Sequence, residues 1–404
     1  MKFTYKTTII ACFIGYIVQA IVNNFAPLLF ITFQNTYHIP LSQITLLVTI
    51  NFAVQLLVDL VSTKFVDKIG YRPCIIVSQI FSAIGLVFLT FLPEIMDAFT
   101  GILIAVIIYA IGGGLMEVLV SPIMESCPTD NKEKAMSLLH SFYCWGTVGV
   151  VLFSTIFFWT VGIDNWKILT CVWAVIPVVN GVIFMKTPIA PLLADDEKGM
   201  SIKQLFANAT FWLFALMMFF TGASEQSVSQ WASAFAEKGL GISKAAGDLA
   251  GPMSFAICMG IARVIYGKYG DKMNLDIFML ACGVLCIISY LLASVTPWAW
   301  LSLIGCALCG LSVGIMWPGT FSKAAVSMKA GGTAMFALLA LAGDLGCSLG
   351  PTLVGLVSDS TGGNMKMGIL AAIIFPIALA ITLLIDFLRK KKSEKKNVKS
   401  AAIR

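Results

Sequence analysis

Glu117 sits in the stretch GGGLMEVLVSPIME, residues 112–125, and is the one charge between Asp97 and Glu125. A carboxylate stranded among apolar residues is costly, and ionisable side chains inside long apolar runs point to function by default. Five more interrupt such runs: Asp59, His140, Glu225, Arg263 and Asp344. Read as helices rising about 1.5 Å per residue, the runs place Asp59, Glu117 and His140 about 10 Å from one end, level with one another. Three runs thus supply one polar cluster. Apolar surroundings disfavour the charged form of Glu117, which fits it to take up a proton near neutral pH. A neutral carboxyl donates a hydrogen bond to a hydroxyl and an anion cannot, so a proton and a hydroxylated ligand would favour each other's binding. Glu117, Asp59, His140 and Asp344 are the candidates for ion coupling. The competing use is structural: a Glu117–His140 pair, or a clasp holding the first half together.

The uncharged polar residues are also patterned. Gln19 and Asn23 are four apart, as are Asn51, Gln55 and Asp59, which puts each set on one helix face. Further on, Glu225 pairs by spacing with Ser229, and Gln226 with Gln230, beside Trp231. Amides, carboxylates and an indole suit a sugar, whose hydroxyls need several donors and acceptors and whose C–H face packs on an aromatic ring. Gln19, Asn23, Asn51, Gln55, Glu225, Gln226, Gln230 and Trp231 are therefore the substrate-binding candidates. Hydrogen bonding between membrane helices is the other use of such residues.

The elements that must position these groups follow from composition. Of the 404 residues 58% are hydrophobic and 12% charged, where a soluble domain carries about a quarter charged. Apolar runs of spanning length recur about twelve times. Lys and Arg cluster on one side of the runs if the N-terminus is cytoplasmic, so both termini are expected in the cytoplasm. The first run is too long for a cleavable signal peptide. The net charge of +6 lies in the tail, where eight Lys/Arg from Arg389 onward face one Glu. The rest is near neutral, which argues against nucleic-acid binding; the tail suits an anionic lipid surface. The eleven cysteines lie in or beside apolar runs, against an external disulfide framework, and Cys306-x-x-Cys309 reads as packing rather than metal or redox chemistry.

One long polar connection, KTPIAPLLADDEKGMSIKQLFAN (186–208), divides six runs from six. The halves repeat: Asp67-Lys68 follows the second run and Asp271-Lys272 the eighth, an offset of 204. Each acid can cap a helix start while its lysine faces the lipid headgroups, so both are gating candidates. At this offset Asp59 maps onto Arg263, and a charge pair between them, or between Arg263 and Asp344, would serve as a gate. The alternative for Arg263 is bonding to helix carbonyls.

Twelve runs in two halves, with an acidic-basic turn after runs 2 and 8, resemble the major facilitator superfamily over nearly the whole chain. Thr63 replaces the usual leading glycine of that motif in the first half; Gly267 keeps it in the second. Within the superfamily, GGGLMEVLVSP, KAMSLLHSFYCWG (134–146) and TGASEQSVSQWASAF (221–235) are similar to the fucose–glucose–galactose permease branch. There the fucose–proton symporter carries an aspartate after an Asn-Asn pair on helix 1, where this chain has Pro27.

The resemblance implies an all-α membrane protein with twelve transmembrane helices in two pseudo-symmetric halves. The expected division is 1–186, a cytoplasmic linker 187–205, a second half 206–388 and a basic tail 389–404. The expected function is secondary transport of a small polar solute, above all a monosaccharide, by proton-coupled alternating access in the cell membrane. No cofactor beyond the coupling ion is expected, and the chain should act as a monomer. Drug or metabolite efflux by proton antiport and sodium-coupled sugar symport are the rivals, sodium because Asp59 and Glu117 offer carboxylate oxygens. A membrane sensor or enzyme is disfavoured: no sensor domain, nucleophile–base pair or nucleotide-binding loop is evident.

Overall fold

The computed structural model describes residues 3–128, 132–189, 200–269, 273–328 and 331–402. Asp271 and most of the polar connection lie outside them, as do the side chains of Asp67 and of the end of the tail. Twelve helices form the bundle. In the first half these are α1 (Tyr5–Asn24, continuing as Phe30–Tyr37), α2 (Leu41–Ile69), α3 (Tyr71–Ile95), α4 (Ala98–Ser126), α5 (Lys132–Val161) and α6 (Trp166–Lys186). The second half has α7 (Ala209–Ser229), α8 (Lys244–Asp248, continuing as Ser254–Tyr269), α9 (Leu275–Val295), α10 (Ala299–Val313 and Met316–Ser327), α11 (Gly332–Ser360) and α12 (Met365–Ala371 and Ile374–Ala402). Eleven of the described helical segments are long and apolar enough to cross a bilayer. The twelfth helix, α7, falls short because it ends in Ser224-Glu225-Gln226-Ser227.

Side chains are arranged as a bilayer requires. Large apolar residues such as Trp159, Ile95 and Val295 face outward, while Gln19, Asn51 and Gln55 are buried. Within a hydrocarbon slab the interior is where polar groups find partners. Glycines set the closest approaches. A Cβ on Gly112 would overlap Ser82 of α3, and one on Gly114 would come within 3.0 Å of the Gln55 backbone of α2. The triple glycine thus lets α4 lie against its neighbours. In the second half Gly343, Gly346 and Gly350 of α11 pack on Gly222, Phe219 and Ala223 of α7 in the same way.

The halves meet along α2 and α11 and along α5 and α8, and the turn Ala26–Leu29 after α1 meets Ala232–Ala234 after α7. Hydrogen bonds and ring contacts between them are concentrated from the end remote from the termini down to the level of Asp59 and Arg263. Two of the helices break along this seam. α1 gives way to a 3₁₀ turn at Ala26–Leu29 containing Pro27, and α7 ends at Ser229, to be followed by a short turn and a wide π-type turn at Phe235–Gly239. Such breaks free backbone groups that an unbroken helix would satisfy within itself.

Candidate functional site

Glu117 owes its place to the glycines before it. With α4 pressed onto α1 and α2, Gln19 reaches it: Gln19 Nε2 donates to Glu117 Oε2 at 3.3 Å and to Gln55 Oε1 at 3.0 Å. Gln55 Nε2 in turn donates to Asn23 Oδ1 at 2.8 Å, which also accepts from Asn51 Nδ2 at 3.4 Å. On the far side of the seam, Gln230 Nε2 donates to the Asn23 carbonyl at 3.1 Å and to Gln226 Oε1 at 3.1 Å. Gln226 Nε2 completes the series on Glu225 Oε1 at 3.4 Å. An amide chain therefore runs from a carboxyl in one half to a carboxyl in the other, and it contains seven of the eight expected substrate-binding residues.

Its crossing point depends on Pro27. In a continuous helix the Asn23 carbonyl would accept from the N–H of residue 27, but proline has none. The carbonyl is left for Gln230. Where the resemblance leads one to look for an acid, the chain thus places a residue that opens a backbone acceptor towards the opposite half.

Trp231, the eighth candidate, is fully buried. Its ring lies 5.4 Å from that of Phe30, and its Nε1 donates to the Pro351 carbonyl at 2.9 Å. Both its face and its polar edge are already engaged.

His140 is not beside Glu117. Its Nδ1 lies 3.3 Å from the Tyr16 hydroxyl, which also contacts Ser121 Oγ at 3.3 Å. The two rings are tilted at 5.4 Å. His140 is exposed although both neighbours are interior, so a reachable space lies between the halves at this level. Arg263 borders the same space. Its Nη1 donates to the His140 carbonyl at 3.2 Å and its Nε to the Gly314 carbonyl at 3.3 Å. The structure does not bring Arg263 to Asp59. Asp59 instead lies on α2, which packs on α11, and acts electrostatically on Asp344 of that helix.

Sequence reasoning passed over Tyr16, Asn24, Tyr143 and Thr147. Asn24 Nδ2 donates to the Tyr143 hydroxyl at 3.3 Å and to Thr147 Oγ1 at 3.2 Å. The signal was present: Tyr16, Gln19 and Asn23, and likewise His140, Tyr143 and Thr147, recur at three and four residues and so share a face. Cys306 and Cys309 are buried and unbridged, with Cys309 Sγ against the Ser224 carbonyl at 3.9 Å. Among the described residues no group of three or more His, Cys, Asp or Glu has the geometry of a metal site.

The model of the Major Facilitator Superfamily matches residues 9–351. The chain belongs to this superfamily. It is a multi-pass membrane transporter rather than an enzyme. Among curated proteins it is similar to "Membrane protein MosC" of Rhizobium meliloti, 21% identical over 353 residues that cover 86% of this chain and 81% of that one. Among solved structures it shares its fold with a bacterial homologue of the human lysosomal transporter Spinster, in an inward-facing and occupied conformation. That match has a TM-score of 0.72 and 17% identity, covering 93% of this chain and 95% of the other. The fucose:proton symporter of E. coli gives a TM-score of 0.64 at 16% identity over 94% of this chain and 98% of that one. A D-xylose–proton symporter gives 0.72 at 13% identity over 92% and 96%.

Proposed function

We propose that this transporter takes up a monosaccharide together with a proton. The observation that carries the reading is the amide chain linking Glu117 to Glu225 across the two halves. Its eight side chains, six of them amides, supply donors and acceptors on both sides of one seam, as a polyol needs, and rearranging them connects binding to the relative position of the halves. The two sugar:proton symporters of the same fold support it by analogy of fold alone.

Glu117 is the acid with a direct role. Oε2 accepts from Gln19, which leaves Oε1 as the atom to carry a proton and donate to a sugar hydroxyl. Loss of that proton would remove the donor and place a carboxylate in an apolar helix, so sugar and proton would leave together. Asp59, Asp344 and His140 belong to the same coupling layer, and Arg263 fixes the His140 and Gly314 carbonyls at the seam between α5 and α8. Asp67 and Asp271 would act at the turns after α2 and α8, with both termini in the cytoplasm and the protein in the cell membrane.

The test is uptake of a panel of labelled monosaccharides into proteoliposomes under an imposed proton or sodium gradient. Accumulation of a sugar with an inward proton gradient is expected. Accumulation only with sodium would move the coupling ion, and accumulation only of apolar compounds, driven by an outward proton gradient, would favour efflux by antiport. Reporters fused after Arg404 and within 187–205 should both be cytoplasmic.

A further inference from the structure

Away from the seam, inside the first half, two amides meet in the packing of α3 on α6. Gln79 of α3 and Asn180 of α6 are 1% and 0% exposed. A Cβ on Gly181 would touch Gln79 Cβ at 3.3 Å, so the residue after Asn180 lies close against Gln79. Gln79 Nε2 donates to Met116 Sδ of α4 at 3.3 Å. Gly15 of α1 closes the remaining side: a Cβ there would stand 3.1 Å from Met116 Sδ and 3.8 Å from Asn180 Nδ2. Four helices thus converge on one polar place in the core. Successive residues leave a helix on different sides, so Met116 turns to this place while Glu117 turns to the amide chain.

The protein does not satisfy the polar atoms gathered there. Asn180 Nδ2, Asn180 Oδ1 and Gln79 Oε1 are buried with no hydrogen-bond partner among the described residues. Burying an amide without partners is costly, and the fold does not require amides here. In the second half Ala380 of α12 lies against Gly283 of α9, as Gly181 lies against Gln79. Leu379, placed before Ala380 as Asn180 is before Gly181, is fully buried. Hydrocarbon fills in one half the place that amides hold in the other. Their chemistry selects what they bind. One orphan is an N–H donor and two are carbonyl acceptors. A cation would suit the two oxygens and be repelled by the amide hydrogens, and an anion would suit only the hydrogens. A water molecule accepts from Asn180 Nδ2 and donates to both oxygens, making the roughly three bonds typical of an internal water.

We propose that Asn180 and Gln79 hold an internal water molecule, which ties α3 to α6 in the core of the first half. Alternating access moves the halves against each other as bodies. The water keeps the first of these bodies together while the seam opens and closes. The site is independent of the sugar and of the coupling ion.

Pulsed X-ray footprinting reads such a water directly, because hydroxyl radicals formed from it oxidise the side chain beside it. Met116 follows Gly114 by two residues, and Met316 follows Gly314, the matching glycine of α10, by two; both methionines are buried. Met116 should be oxidised within the pulse and Met316 should not. Asn180→Leu should reduce the Met116 yield to that of Met316. Stability supplies a sign. Asn180→Leu removes two of the water's three bonds and leaves Gln79 Oε1 unpaired, so it should lower the melting temperature. Adding Gln79→Met makes the place apolar, as in the second half, and should recover most of the loss. An unlabelled Met116, or labelling that survives Asn180→Leu, would overturn the proposal. So would a higher melting temperature in Asn180→Leu, the mark of an amide that binds nothing. Stabilisation by sodium but not potassium, lost in Asn180→Leu, would put a cation in the place of the water and overturn it too.

Discussion

The two halves repeat each other in backbone and differ in charge. At the offset of 204 Asp59 of α2 corresponds to Arg263 of α8. Gly114 packs on Gln55 and Val58, and Gly314 on Met259 and Ala262, the residues 204 further on. Three residues beyond these glycines stand Glu117 in one half and Trp317 in the other. The contrast continues at the end near the termini. In the first half Arg72 donates to the carbonyls of Phe184, Met185 and Thr187, each at 2.8 Å, where α6 ends. Its counterpart, Asp276, belongs to an ionic cluster with Lys323 at 2.6 Å and Lys390 at 2.6 Å, Lys323 also reaching Asp386 at 2.5 Å. The charges near the termini are thus fixed, on carbonyls in the first half and in ion pairs in the second. Under the proposed coupling the labile charges are the acids at the seam, Asp59 and Glu117 from the first half and Glu225 and Asp344 from the second.

The largest effect should come from breaking the fixed side. Lys323 is buried between two carboxylates, and removing one partner of a buried ionic set costs about 3–5 kcal/mol because the remaining charges are uncompensated. Lys323→Met should lower the melting temperature of the purified protein sharply, and adding Asp276→Asn should recover part of the loss. Arg72→Met, which frees helix-end carbonyls near a surface, should cost only about 1 kcal/mol. Equal costs for the two would remove the distinction between the ends of the halves.

Next in size is the labile side. Glu117→Gln mimics the protonated acid and should retain sugar binding and exchange while reducing gradient-driven accumulation more than tenfold, a change of about 1.4 kcal/mol or more in the coupling. Counterflow and net uptake in the same vesicles separate the two. Unchanged accumulation at every pH would take Glu117 out of the coupling role. Trp317→Phe, at the corresponding place, should leave coupling intact.

A smaller effect is expected from Pro27→Ala. The new N–H can bond to the Asn23 carbonyl within α1, competing with Gln230 from α7. Sugar exchange should change several-fold through altered opening of the seam, on the scale of one hydrogen bond, about 1 kcal/mol. A Gln230→Ala variant should behave alike, and the double variant should add little. Full additivity would show that the two residues act separately.

Much of this was legible in the sequence, and what was not has a common cause. Four-residue spacings located Gln19 with Asn23, and Asn51 with Gln55, because a helix displays its faces to whoever counts along it. Glu117 was conspicuous for the same reason. Partners across the seam were another matter. Pro27 is visible in the chain, but that the carbonyl it frees meets Gln230 follows from the docking of α1 on α7. The linking of Glu117 to Gln19 rather than His140 depends on how far the glycines let α4 slide towards α1.

The smallest expected effect tests that lesson directly. The repeat suggests Asp59 and Arg263 as a charge pair because they occupy equivalent places. Equivalent residues, however, lie on symmetry-related helices, which dock on different neighbours: α2 on α11, and α8 on α5. Asp59 accordingly acts electrostatically on Asp344, and Arg263 holds the carbonyls of His140 and Gly314. In a double-mutant cycle on transport rate with Asp59→Asn and Arg263→Gln, the coupling energy should be within about 0.5 kcal/mol of zero, as for residues without shared partners. The same cycle with Asp59→Asn and Asp344→Asn should give a clearly greater coupling energy, since the two acids act on each other electrostatically across the packing of α2 on α11. Strong coupling of Asp59 with Arg263 would mean that the two meet in the alternate arrangement of the halves, and that Arg263 leaves its carbonyls to get there.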